Sequence, residues 1–211
     1  MEAPVILNPE IERYLHNLLP PRDQVLAEME AEARSRNIPI VGPAVGTLLA
    51  ALVRLSGARR IFELGSAIGY STIWLARAAG PGAEVHYSDG SAANARQASG
   101  FFERAGVAER VTIHVGDALA SLAATPGDFD LVFNDADKEG YLAVLDAVPS
   151  RLRSGGVLVS DNALWYEKIL QPGDAASKTI AEFNRKSFET KEFFSTLVPL
   201  RDGLLITIKA F

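Results

Sequence analysis

The chain contains no cysteine. That absence removes disulfides, thiolate metal centres and cysteine nucleophiles together, and it suits a reducing cytoplasm, the compartment expected here. Histidine is scarce: the three residues, His16, His86 and His114, form no evident cluster. No apolar run approaches the roughly 20 residues that a membrane-spanning helix needs; the best stretch, Val41–Leu55, is interrupted by Gly42, Pro43, Gly46 and Arg54. Charges break up the apolar residues of the opening MEAPVILNPEIERYL, which is unlike a signal peptide. Basic charge is not in excess either. The 21 Lys and Arg face 26 Asp and Glu, a net charge of -5 that disfavours a broad phosphate-binding surface. Repeats, low-complexity tracts and linker-like runs are also missing, so residues 1–211 read as one domain with a helical extension over 1–40.

What is present fits that size. Of the 211 residues, 48% are apolar and 22% charged, enough for one α/β core. Asn8-Pro9 is a helix start, cap followed by first-turn proline, and Pro20-Pro21 ends that helix at Leu19. Further helices are expected over about Arg22–Arg36 and Pro43–Ser56, the latter closed by Gly57. Short apolar runs then alternate with helical stretches. Strands are expected at Arg60–Leu64, Glu84–Ser88, Val111–Val115, Phe129–Asn134 and Gly156–Ser160. Helices are expected near Tyr70–Ala79, Ala92–Ala105, Ala118–Ala123, Glu139–Leu152 and Ala175–Lys186. This alternation predicts a doubly wound α/β fold with a mostly parallel sheet. The runs Phe193–Val198 and Leu204–Ala210, joined across Asp202-Gly203, predict an antiparallel C-terminal hairpin.

Two constellations carry chemistry. In Glu63-Leu-Gly65-Ser-Ala-Ile-Gly69-Tyr-Ser71 a strand runs into glycines that open a helix, and Asp89 ends the next strand 24 positions after Gly65. Glycines there permit close approach of a ligand, and an acid in that place accepts hydrogen bonds from ribose hydroxyls. A dinucleotide fingerprint would have a third glycine. Glu63 would repel a diphosphate and hold a cationic amino-acid group, which favours S-adenosylmethionine over NAD. The second constellation is Asp135 after the strand Phe129–Asn134 and Asp161-Asn162 after the strand Gly156–Ser160. Two carboxylates and an amide oxygen from neighbouring strand ends suit a hard divalent ion, Mg²⁺ first, with Mn²⁺ or Ca²⁺ also compatible. Taken singly, each of these motifs reads as an ordinary turn or helix cap; together they read as one site.

These residues resemble the cation-dependent O-methyltransferase family that includes catechol and caffeoyl-CoA O-methyltransferases. The most specific parts are Glu63–Ser71, Asp135-Ala-Asp-Lys138 and Asp161-Asn-Ala-Leu-Trp165. The resemblance implies a Rossmann-like, seven-stranded class I methyltransferase sheet with a reversed last strand, and a homodimer. It also implies that Val41, Glu63, Gly65, Ser71, Asp89, Ala118 and Asp137 contact the methyl donor and that Asp135, Asp161 and Asn162 ligate the metal. Lys138 would stand beside the acceptor hydroxyl, as general base or as charged stabiliser of the phenolate. Asn134 departs from the pattern, being polar where an apolar residue is usual. So does Tyr166-Glu167, where a small or polar residue and then glycine are common.

The expected reaction is transfer of a methyl group to a hydroxyl of a small vicinal-dihydroxy aromatic. Methylation of 5-hydroxyuridine in tRNA is a less favoured alternative given the net acidity. An NAD-dependent oxidoreductase and an inactive binding protein are the readings from other classes. Among other residues, His114 is expected on the solvent side of its strand and Trp74 in helix–sheet packing. The charges of Glu28–Arg36 are expected on a solvated helix face. Trp165 and Tyr166 either wall the acceptor or pack in the core, and Asp117 either nears the adenine or caps a helix.

Overall fold

Asn8 opens the first helix. Its side chain accepts the Glu10 amide at 2.9 Å, Pro9 follows in the first turn, and α1 runs Pro9–Leu18. The computed structural model describes residues 8–210; residues 1–7 of the expected extension and Phe211 lie outside the described residues. Asp23 caps α2 (Gln24–Arg36) by accepting the Leu26 amide at 3.0 Å, so this helix starts two residues later than expected. The third helix, α3, spans Gly42–Ser56.

Strands and helices then alternate: β1 (Arg60–Leu64), α4 (Tyr70–Ala79), β2 (Glu84–Asp89), α5 (Ala92–Arg104), β3 (Val111–Val115), α6 (Ala118–Ala124) and β4 (Phe129–Asn134). They continue through α7 (Tyr141–Ala147), β5 (Leu152–Ser160), α8 (Ala175–Glu189), β6 (Phe193–Val198) and β7 (Leu204–Lys209). The sheet order is β3-β2-β1-β4-β5-β7-β6, with the first five strands parallel and β7 antiparallel to both neighbours. The doubly wound sheet with a C-terminal hairpin is therefore as the sequence predicts. After β1 the chain winds outward to β3, then returns to lay β4 on the other side of β1. This reversal opens a crevice at the carboxyl ends of β1 and β4, where ligands bind in such sheets.

Both faces of the sheet are covered, which is why its strands read as near-continuous apolar runs. Alternation divides them: Ile61, Leu131 and Phe133 pack with α3 and α4, while Phe62, Val132 and Leu158 pack with Tyr141 and Phe183.

Several local expectations are corrected. The helix expected over Glu139–Leu152 stops at Ala147; a 3-10 turn carries Val148–Arg151, and Leu152 already pairs with Phe129 in the sheet. Pro149 lacks the amide that would continue the helix. Gly155, at φ +70°, lets β5 pass through an irregular register and resume pairing at Val157. His114 is only partly exposed: its ring stacks on His86 at 5.2 Å and shares a 2.9 Å nitrogen–nitrogen contact with it, both beside Phe62. Trp74 packs helix to helix, because a Cβ at Gly46 of α3 would lie 2.5 Å from its Nε1. Glu30 leaves the expected solvated face, being buried and bonded to Tyr70 Oη at 2.8 Å.

Candidate active site

The glycine turn sits at the carboxyl end of β1. Gly65 has φ +81°, and a Cβ there would lie 2.6 Å from the Asp135 carbonyl oxygen and 2.8 Å from Ala136 N. Only hydrogen fits, so the turn and the end of β4 are in backbone contact. Asp135 N also donates to Leu64 O at 2.8 Å, which fixes the two constellations against each other.

Glu63 is fully buried and accepts hydrogen bonds from the hydroxyls of Ser71 and Thr72. Burial pushes its carboxyl up to about 7, against the opposing effect of the surrounding hydroxyls. A buried acid that is half protonated near neutrality, next to the carboxyl end of β1, is suited to an incoming cation. Asp89 ends β2 on the same rim. Its Oδ2 accepts the Ala67 amide at 3.0 Å, and its Oδ1 accepts the Ser91 amide at 2.8 Å and Asn94 Nδ2 at 3.0 Å. These bonds fix the carboxylate while leaving lone pairs for a further donor. Gly116 N bonds Asp89 O at 3.0 Å, bringing the start of α6 and Ala118 to this side; Asp117 caps that helix by accepting Ala120 N at 2.6 Å. Val41, buried at the start of α3, and Asp137, exposed after β4, complete the residues expected to meet the donor.

Asp135 and Asp161 directly follow the paired positions Asn134 and Ser160 of adjacent parallel strands. Neighbouring strands are about 4.8 Å apart. Burial raises both carboxyls, the charge of Asp135 further opposes ionisation of Asp161, and Lys138 and Arg201 oppose these shifts. Lys138 Nζ donates to Asp135 Oδ1 at 2.7 Å, to Ala136 O at 3.1 Å and to Tyr141 Oη at 3.0 Å. Three acceptors satisfy an ammonium group completely. Tyr141 Oη in turn donates to Asp161 O at 2.9 Å, tying the lysine to both strand ends. Asn134, unexpected in a buried strand, links the same ends: its Nδ2 reaches Ser160 Oγ and its Oδ1 the Ala136 amide, each at 3.4 Å, while Asp161 N donates to its carbonyl at 3.0 Å.

Asn162 sits in the left-handed region at φ +56°, followed by Trp165, Tyr166 and Glu167 at +47°, +51° and +63°. Such conformations cost a non-glycine residue of order 1–2 kcal/mol each. They are held because the loop is pinned to the β6–β7 turn. Ala163 N donates to Gly203 O at 2.9 Å, Leu164 N to Asp202 O at 2.8 Å, and Tyr166 N to the Asp202 carboxylate. Trp165 is partly buried, with no hydrogen-bond partner for Nε1 among the described residues, and Tyr166 is 73% exposed at the rim.

The structure thus gathers Asp135, Lys138, Asp161 and Asn162 at one end of β4 and β5, beside the Glu63–Ser71 turn. Among the described residues no three His, Cys, Asp or Glu side chains cluster as a ready-made metal cage; the assembled set is two carboxylates and an amide. Sequence reasoning missed Tyr141, Arg201 and Asp202. In the sequence Asp202 reads only as a turn residue beside Gly203, and nothing local shows that it meets Asn162, 40 positions earlier.

The profile of the O-methyltransferase family matches residues 19–210. A catechol O-methyltransferase from Mycobacterium tuberculosis is 37% identical over 176 residues, which cover 82% of this chain and 80% of that protein. The O-methyltransferase TomG from Streptomyces achromogenes, involved in tomaymycin synthesis and solved with S-adenosylmethionine, matches with a TM-score of 0.87 at 29% identity, covering 96% of each chain. An O-methyltransferase from Bacillus cereus solved with S-adenosylhomocysteine gives a TM-score of 0.86 at 30% identity, covering 95% of this chain and 97% of that one.

Proposed function

The chain belongs to the O-methyltransferase family, and from that premise we propose that it methylates one hydroxyl of a small vicinal-dihydroxy aromatic, with S-adenosylmethionine as donor and a divalent cation as partner. That it is an S-adenosylmethionine-dependent O-methyltransferase follows from the family and from its donor-bound and product-bound relatives. The dihydroxy acceptor and the metal are the finer reading.

One observation carries that reading: two carboxyls, the part-buried Asp135 and the buried Asp161, follow paired positions of neighbouring strands with the Lys138 ammonium already on the first of them. Burial makes a pair of carboxylates unfavourable unless cationic charge accompanies them. All-oxygen donors, with Asn162 as the third, fit a hard ion. Held by Asp135, Asp161 and Asn162, a divalent ion would lower the pKa of the attacking hydroxyl.

The protein's own groups do the rest. Glu63 takes the donor's ammonium, fixed in aim by Ser71 and Thr72. Asp89 takes its ribose, and the Gly65 turn lets the donor approach the carboxyl end of β4. Holding donor and acceptor in line supplies on the order of 7–11 kcal/mol at best. The acceptor's O–H bond breaks and its proton leaves to solvent. The oxygen bonds to the methyl carbon as the carbon–sulfur bond breaks, its electron pair going to sulfur. Lys138, with each N–H on an acceptor, acts as positive charge beside the developing phenolate and not as a free base.

Turnover of catechol with the methyl donor, with and without EDTA, tests the proposal. Metal-dependent formation of the monomethyl ether supports it, and equal rates in EDTA reject the metal's part.

Among the described residues no helix is long and apolar enough to cross a membrane.

A further inference from the structure

Next to the site, and lined by none of its acids, lies a cavity of about 990 Å³ between α1, α2, residues 37–44 and the β6–β7 turn. That is the size of a small-molecule pocket. Its walls are largely aliphatic, Ile38 and Leu200 among them, and three arginines contribute to the lining: Arg22, Arg34 and Arg201. The single acid there, Glu30, is already engaged, accepting Arg22 Nε at 3.1 Å and Tyr70 Oη at 2.8 Å. The lining therefore carries a positive excess on a protein whose net charge is -5.

The arginines differ in what they are free to do. Arg22 is committed to Glu30. Arg201 stands at the junction with the active site: its Nη1 donates to Ile40 O at 3.2 Å and to Val41 O, and its charge helps ionise Asp135 and Asp161. Arg34, exposed in the last turn of α2, makes no hydrogen bond or ion pair with any described residue. The cavity thus borders Arg201 on the side of the strand-end acids, has apolar walls, and also carries an uncommitted guanidinium, Arg34.

We propose that this cavity receives an anionic side chain of the acceptor: the diol sits at Asp135 and Asp161, the aliphatic part of the side chain lies along Ile38 and Leu200, and a terminal carboxylate meets Arg34. The inference rests on the methyl-transfer reading and narrows its acceptor to dihydroxy-aromatic acids. A neutral or cationic tail of the same length lacks that partner.

The test compares 3-(3,4-dihydroxyphenyl)propionate with its methyl ester, which has the same ring and chain but no charge. Steady-state kinetics give kcat/KM for each with Mg²⁺ and the methyl donor, and equilibrium dialysis gives the affinity of each for the resting protein. An exposed ion pair is a few-fold effect, so wild-type protein is expected to prefer the acid about fivefold, mainly through KM. Arg34→Glu should lower the acid-to-ester ratio at least fivefold, and the milder Arg34→Gln about twofold. Equal handling of acid and ester by the wild type overturns the proposal. So does a ratio that neither variant changes, or a change of oligomeric state on sedimentation of Arg34→Glu, which would assign the cavity to contact between copies. If neither compound is methylated, the methyl-transfer reading to diols fails, while dialysis still decides on the anion: an acid that binds no tighter than its ester rejects it.

Discussion

Asp202 holds its carboxylate against the Asn162 amide, with Nδ2 3.4 Å from Oδ2. A carboxylate only accepts, so the NH₂ group of Asn162 must face it, and Oδ1 is left turned to the other side. Replacing Asp202 by Asn keeps an acceptor for the Tyr166 amide but offers Asn162 an NH₂ group, to which its oxygen would turn. Outer partners of metal ligands typically contribute 10- to 100-fold in affinity. Asp202→Asn is therefore expected to weaken Mn²⁺ binding at least about tenfold, read by electron paramagnetic resonance titration. Unchanged affinity would show that Asp202 does not orient Asn162.

Glu63 makes the donor-free protein sensitive to pH. Its folded carboxyl lies at about 7 against 4.5 for the ordinary group, so the folded state holds the proton more tightly than the unfolded chain. Its stabilising contribution is complete below about pH 4.5 and is lost as pH rises through 7, a change of about 3 kcal/mol. Glu63→Gln lacks this loss. Urea unfolding without donor should show the variant gaining on the wild type by that amount between pH 4.5 and 8, while its donor affinity falls at least tenfold. A constant stability difference over the range would contradict the burial argument.

Lys138 balances two carboxyls. Lys138→Met leaves the part-buried Asp135 and the buried Asp161 without their cation; loss of one partner from a fully buried pair costs about 3–5 kcal/mol, an upper bound for this part-buried one. The metal-free variant should lose stability of that order at pH 8, with Mg²⁺ restoring much of it. Since burial already favours the protonated carboxyls, the loss should shrink as pH falls. Single-turnover rates should drop about 10²- to 10³-fold, the size of a lost electrostatic stabiliser. A variant as stable as the wild type without metal would argue that Lys138 is merely a surface ion.

Gly65 is where the turn after β1 meets the end of β4. Gly65→Ala puts a methyl group within 2.6 Å of the Asp135 carbonyl and strains a positive φ. Donor affinity and metal affinity should fall together, with stability down by about 2–4 kcal/mol in calorimetry. Loss of donor binding with metal affinity intact would show the two halves to be independent.

The elements most legible in the sequence were those set by local rules. Asn8-Pro9, the strand Arg60–Leu64 and the hairpin around Asp202-Gly203 carry their own caps, periodicity or turn chemistry, and each forms as read. Glu63, Asp89, Asp135 and Asp161 could be placed on one rim because parallel strands direct their carboxyl ends the same way. Contacts between distant segments were not legible. Glu30 looked like any charge of a solvated helix until Tyr70 of α4 came over it, and His114 looked exposed until His86 stacked beside it. The same holds for the left-handed run Trp165–Glu167, whose strain is sustained by Asp202 and Gly203 from another hairpin.

The central claim is that Asp135, Asp161 and Asn162 hold a cation that the reaction needs, beside a donor held by separate residues. Catechol methylation measured across a range of free Mg²⁺ after EDTA stripping, on wild type and Asp161→Ala, with donor affinity measured alongside, tests it directly. The account predicts saturable recovery of wild-type turnover, no turnover by the variant at any Mg²⁺ concentration, and nearly equal donor binding by both. Metal-independent turnover by the wild type, or a variant that recovers like it, would contradict the account.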